Sequence, residues 1–255
     1  MNKKHTLIIG GTRGIGSFIV RAFSEEGHKV SVIGRHEPKQ KVNNTDYWIL
    51  DLLGWKAISK ALAQIVQKNG KLSSLIFLQR FRGKEDDWAG EIGVSITATK
   101  NIIEQLSDKF DYANESSIVI VSSLAGNFII KEQPLSYHVA KASLNRMAAY
   151  YAVALGHKGI RINCVSPGTV LKEESKEFYL KNKKLYELYK KITPLGRMCA
   201  PEDIANAILF LCSPKASFIT GQNIIIDGGL YLQGNESIAR EVISLNVPKP
   251  NKNEP

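Results

Sequence analysis

Seven residues near the amino end constrain this chain more than any others. Gly10-Gly11-Thr12-Arg13-Gly14-Ile15-Gly16 follows the apolar run Thr6-Leu7-Ile8-Ile9 and leads into a stretch with helical spacing, Ile15, Phe18, Ile19, Ala22 and Phe23. A buried strand, a glycine turn and a helix in that order open a β-α-β unit. Glycines let the backbone bend sharply there and come close to a pyrophosphate. The helix start then offers unpaired N–H groups and a positive dipole end. Gly10, Thr12, Arg13, Gly14, Ile15 and Gly16 are therefore the first candidate cofactor ligands.

The same alternation continues along the chain. Strands are predicted at Lys29–Ile33, Tyr47–Leu50, Leu75–Leu78, Ser117–Val121, Ile160–Val165 and Asn223–Ile226. Helices are predicted at Ile15–Glu26, Trp55–Gln67, Glu91–Leu106, Leu135–Leu155 and Pro201–Cys212. Pro201 sits at the start of the last helix with Glu202 and Asp203 in its first turn, where acids suit the dipole. Strands that alternate with helices imply crossovers, a parallel sheet and helices on both faces. The fold class is thus α/β, a Rossmann-like doubly wound sheet. Residues 1–232 form one domain, and 233–255 form a partly disordered tail whose end, Val247–Pro255, is polar and rich in proline.

Bulk properties narrow the function classes. Three widely spaced cysteines, Cys164, Cys199 and Cys212, suggest buried thiols in a reducing compartment. No Cys or His pair has metal-ligand spacing, so no metal is expected. The apolar run near the amino end is too short for a signal or membrane segment, and the protein is expected in the cytoplasm. The formal net charge is +10, which suits phosphate-bearing ligands as well as a solvated surface. No basic stripe interleaved with aromatics stands out, so no nucleic-acid partner is expected.

Cofactor choice is read at the end of the second strand, Ile33-Gly34-Arg35-His36. An NAD site usually has an acid there for the ribose hydroxyls. Here Gly34 removes the acid and Arg35 follows, with Arg13 in the nearby turn. Two guanidinium groups suit a 2′-phosphate, so NADP(H) is expected. Asp51 ends the third strand, beside the expected adenine.

Tyr137 and Lys141 are four residues apart on a predicted helix, and so lie one turn apart on one face. A free phenol titrates near pH 10 and is a poor acid–base catalyst. A neighbouring ammonium favours the phenolate and improves proton transfer. Ser123 lies at the carboxyl end of the fifth strand, the edge where such sheets hold ligands. Its hydroxyl suits a substrate oxygen on which charge develops.

With these residues in place, the chain resembles the short-chain dehydrogenase/reductase family of the compact, single-domain kind. The resemblance runs from about residue 5 to about residue 232. It rests on the glycine turn, Ser123, Tyr137-x-x-x-Lys141, Gly159-Ile160-Arg161-Ile162-Asn163, Ser166-Pro167-Gly168, Pro194-Leu195-Gly196-Arg197, Pro201-Glu202-Asp203-Ile204-Ala205, Ile219-Thr220-Gly221-Gln222 and Asp227-Gly228-Gly229. It implies a seven-stranded sheet, a small carbonyl or alcohol substrate, and a homodimer or homotetramer. It implies Tyr137 as acid/base, Lys141 as ribose binder and Ser123 as the ligand of the substrate oxygen. Leu52, Gln79 and Arg80 would join the cofactor set, and Pro167, Gly168, Thr169 and Val170 would border the nicotinamide. Leu171 to Ile192, with seven lysines and four glutamates, would be a substrate lid.

Three positions depart from the family. The usual Asn-Asn-Ala-Gly after the fourth strand reads Phe77-Leu78-Gln79-Arg80. Arg80 is expected to turn towards the cofactor, with Glu85, Asp86 and Asp87 as competing partners. The family's catalytic asparagine aligns with Ser95, which keeps the backbone carbonyl needed for a water relay. Lys172 stands where a threonine often follows the Pro-Gly turn. These departures leave a second reading open, a degenerate member that binds NADP(H) or a partner without turnover.

Overall fold

The computed structural model describes residues 4–83, 86–112 and 116–243. Its chain runs β1 (His5–Ile9), α1 (Gly14–Glu25), β2 (Lys29–Gly34), β3 (Thr45–Ile49), α2 (Trp55–Asn69) and β4 (Ser74–Phe77). Then come α3 (Trp88–Glu91), a π-type segment at Ile92–Thr97, α4 (Ala98–Leu106), β5 (Ser116–Val121), α5 (Leu135–Gly156) and β6 (Ile160–Pro167). The chain ends with α6 (Glu173–Lys181), α7 (Lys183–Ile192), α8 (Pro201–Cys212), β7 (Asn223–Ile226) and α9 (Asn235–Val242). All seven strands are parallel, in the order β3-β2-β1-β4-β5-β6-β7. The expected doubly wound sheet is present.

Strand alternation feeds two cores. Leu7, Ile9, Leu75, Phe77, Ile118 and Ile120 enter one core with α2, α4 and α5. Ile8, Ile76 and Val119 enter the other with α1 and α8. Successive side chains on a strand point to opposite faces, so a strand covered on both sides must be apolar throughout. The unbroken apolar runs of β1, β4 and β5 follow from that.

Three elements differ from their predicted form. The continuous helix predicted over Glu91–Leu106 starts earlier and is π-wound over Ile92–Thr97. That stretch, Ile-Gly-Val-Ser-Ile-Thr, combines a glycine with β-branched residues, all weak α formers. The Gln79 side chain also presses on it, with Nε2 3.5 Å from the Val94 carbonyl. The segment expected to form a lid is two helices, broken at Asn182, whose φ of −103° and ψ of 59° end α6. Residues after 232 open with α9, which is tied to the lid. Gln233 Nε2 donates to the Ile192 carbonyl at 2.6 Å, and the Lys191 ammonium donates to the Glu241 carbonyl. The Val247–Pro255 segment lies outside the described residues.

Candidate active site

The carboxyl ends of β1, β4, β5 and β6 converge on one edge, and the candidate residues gather there. Gly10 has a φ of +92°, and an added Cβ would stand 2.7 Å from the Gln79 backbone nitrogen. At Gly16 a Cβ would meet the Gly10 carbonyl oxygen at 2.4 Å. Only glycine permits this fold of turn over helix. The α1 start has no side-chain cap. Its Gly14 N–H instead donates to Glu174 Oε1 of the lid at 2.9 Å. A carboxylate of this chain thus sits at the anion-attracting helix end.

Gly34 holds a second tight approach. A Cβ there would lie 2.8 Å from Thr12 Cγ2. A ribose-binding acid would not fit at this position without moving Thr12. Arg13 and Arg35 are both exposed, and neither has an ion-pair partner among the described residues. Asp51 Oδ1 accepts the Leu53 N–H at 3.0 Å, which leaves its second oxygen for another donor.

Ser123 begins a short 3-10 turn, Leu124–Gly126, and its Oγ accepts the Ala125 N–H at 3.2 Å. This turn packs tightly on α5. A Cβ on Gly126 would lie 3.0 Å from the Lys141 carbonyl oxygen and 2.7 Å from Asn145 Nδ2. The adjacent Ser122 Oγ donates to the Lys141 carbonyl at 3.1 Å. Gly126 and Ser122 thereby fix the serine turn against the helix that carries Tyr137 and Lys141. Lys141 is buried, its Nζ donates to the Val121 carbonyl at 3.1 Å, and it lies 5.5 Å from the Tyr137 ring centroid.

Ser95 is fully buried in the π-type segment. Its hydroxyl donates to Glu91 Oε1 at 2.5 Å, and its carbonyl accepts from the Thr99 hydroxyl at 2.7 Å. Gln79 Nε2 donates to the same Thr99 oxygen at 2.7 Å, while Gln79 Oε1 has no partner among the described residues. Gly168 closes on β7, where a Cβ would meet Asp227 Cβ at 2.9 Å. Leu52 packs against the first core, Val170 is buried by the second, and Thr169 between strand and lid is exposed.

Arg80 lies over Tyr137. Its guanidinium carbon is 4.8 Å from the ring centroid, and Nη2 donates to Gln133 Oε1 at 2.8 Å. Asp86 and Asp87 do not pair with it. Asp86 accepts the Ser136 N–H, and Asp87 accepts the Gly90 N–H. Glu85 lies outside the described residues. Gln133, Gly126 and Glu174 are site residues that the sequence reading missed. Nothing local marks them. The Glu174 contact joins residues 160 apart.

The family model described as enoyl-(acyl carrier protein) reductase matches residues 10–231. The chain is 31% identical over 252 residues to the 3-oxoacyl-acyl-carrier-protein reductase of Chlamydia muridarum, a match that covers 89% of this chain and 97% of that protein. A solved structure of a 4-hydroxyisoleucine dehydrogenase mutant, complexed with NADH and succinate, is 26% identical with a TM-score of 0.82, covering 91% of this chain and 100% of that one. ElxO with NADP bound is 25% identical with a TM-score of 0.80, over 91% of this chain and 100% of that one.

Proposed function

The chain belongs to the short-chain dehydrogenase/reductase family of oxidoreductases, and from that premise we propose that it moves a hydride between NADP(H) and the carbonyl or alcohol carbon of a small substrate. The observation that carries this reading is the Tyr137–Lys141 pair, pinned by Gly126 and Ser122 beside Ser123 at the carboxyl end of β5. Its relatives bind both NADP and NADH, so cofactor choice rests on this chain's own residues.

Those residues fit a dinucleotide. The glycine turn leaves the α1 N-terminus open to an anion, and Glu174 already sits there as one. Gly34 stands where an NAD site usually carries its acid, while Arg13 and Arg35 offer charge-assisted donors to a 2′-phosphate. Asp51, Leu52, Gln79, Gly168, Thr169 and Val170 line the remaining path, with Pro167 at the end of β6. A bound nicotinamide supplies or receives the hydride. Tyr137 gives its phenolic proton to the substrate oxygen, or takes one in the reverse direction. The Lys141 ammonium stabilises the phenolate that results, and Ser123 donates to the same substrate oxygen. Ser95 keeps a carbonyl for a water that recharges Lys141, although Thr99 already uses one of its lone pairs.

The direct test is NADPH consumption against a panel of ketones and aldehydes, alongside NADPH fluorescence. Binding with no turnover across the panel favours the non-catalytic reading.

If Glu174 occupies the pyrophosphate seat, the cofactor must displace it. Glu174→Gln is expected to tighten NADPH binding about two- to five-fold, the scale of a helix-end charge effect. A fluorescence titration checks this. Weaker binding by the variant would show that Glu174 helps to hold the cofactor.

We also place the protein in a reducing cytoplasm, as a homodimer or homotetramer. The three thiols are unpaired, and among the described residues no helix is long and apolar enough to cross a membrane. Tyr150 and Val153 on α5 are 66% and 84% exposed, an apolar face that a second copy would cover. Val153→Arg should therefore shift the sedimentation coefficient towards that of a single chain. An unchanged coefficient would put the interface elsewhere.

A further inference from the structure

Besides Lys141, Arg80 and Lys172 stand by the Tyr137 phenol, and Arg82 stands by Lys172. The Arg80 guanidinium lies over the Tyr137 ring at 4.8 Å. Lys172 stands just before α6 and is half-buried, its Cδ 3.6 Å from where a Cβ on Gly14 would lie. Its charged and titratable neighbours are Arg80, Arg82, Tyr137 and Glu174. Burial first, then the two guanidinium groups, push the Lys172 ammonium below its ordinary range.

The Glu174 carboxylate offsets part of this crowding without forming an ion pair. Among the described residues no carboxylate pairs with Arg80, Arg82 or Lys172. Asp86 and Asp87 serve backbone N–H groups, and Glu174 is committed to Gly14. Arg80 has only the neutral Gln133 amide. Like charges held together without a paired counter-charge cost stability, the more so where one is partly desolvated. Such a group recovers that cost when an anion enters, and a guanidinium fork suits a carboxylate or phosphate in two-point contact.

We propose that Arg80, Arg82 and Lys172 seat an anionic group of the substrate, so that the carbonyl reduced at Tyr137 belongs to an oxo acid or a phosphorylated ketone. The proposal rests on Tyr137 being the reacting site. It moves Arg80 from the expected cofactor role to a substrate role, because its guanidinium covers the phenol and not the α1 N-terminus. The anionic group is held and is not itself changed.

The test uses matched pairs: pyruvate, acetoacetate and levulinate with their methyl esters, and dihydroxyacetone phosphate with dihydroxyacetone. Each is titrated calorimetrically into the protein with and without NADP+. The oxidised cofactor cannot reduce an oxo compound, so binding is read without turnover. At least one anion is expected to bind ten-fold or more tightly than its neutral partner. The carboxylate and phosphate pairs show which anion is preferred. Arg80→Gln and Lys172→Gln should each weaken that anion about ten-fold, the loss of one charge-assisted contact, and leave NADP+ affinity within about two-fold. Where the anion is turned over in the presence of NADPH, Lys172→Gln should raise KM more than it lowers kcat, whereas Arg80→Gln, which also uncovers the Tyr137 ring, is read by binding alone. Equal binding within every pair, or no binding by any anion, would overturn the proposal. A loss of NADP+ affinity in the variants would also overturn it and assign the cations to the cofactor phosphates. Failure of the unaltered protein to take up any nicotinamide dinucleotide would instead count against the oxidoreductase reading itself, and the cofactor-free titrations still decide whether the cations hold an anion.

Discussion

Replacing Tyr137 with Phe is expected to lower turnover about 10²-fold or more, the scale of a positioned acid, while fold and cofactor binding stay nearly intact. The substitution removes one oxygen. The ring stays under Arg80 and beside Lys141, so both cation contacts to its face persist. Lys141→Ala is a different lesion. It removes the buried ammonium that bonds the Val121 carbonyl as well as the partner of the phenolate, so both turnover and cofactor affinity should fall. Steady-state rates with a reducible carbonyl, together with NADPH fluorescence, separate the two. A Phe variant that keeps more than about a tenth of the rate would show that Tyr137 is not the proton donor.

The second large effect belongs to Arg35. Arg35→Ala should weaken NADPH about ten-fold or more and hardly touch NADH, because a lost charge-assisted hydrogen bond costs about 1.5–3 kcal/mol. The structure sharpens this expectation. Gly34, beside Arg35, has no carboxylate to hold a bare ribose in place of the 2′-phosphate. Arg35 is exposed and has no carboxylate partner among the described residues, so its loss should not disturb the fold. Titrations of both cofactors into both proteins read the result. An equal loss for NADPH and NADH would show that Arg35 does not read the 2′-phosphate.

Much of this architecture was legible because its signals are local. A strand covered on both faces writes an apolar run, and a glycine turn before a helix writes its own spacing. The Tyr137–Lys141 pair follows from one helical turn. What stayed hidden depends on meetings between distant segments. The π-type winding at Ile92–Thr97 is set partly by Gln79, two residues past β4, and its α-helical alternative has nearly the same periodicity. Gly126 reads as an ordinary loop glycine until α5 is packed 3.0 Å from the Cβ it lacks. Glu174 is one of four glutamates in the lid, and only the folded chain shows which one reaches Gly14. Arg80 was visible as an oddity, but its place over the phenol was not.

Bonds from α7 reach Gln233, just before α9, and Glu241 within it, so α7 and the carboxyl-terminal helix are mechanically coupled. Gln233 holds the Ile192 carbonyl, and Lys191 holds the Glu241 carbonyl. A displacement of α7 would therefore be carried to α9, and a purification tag at the carboxyl end is expected to lower turnover more than one at the amino end.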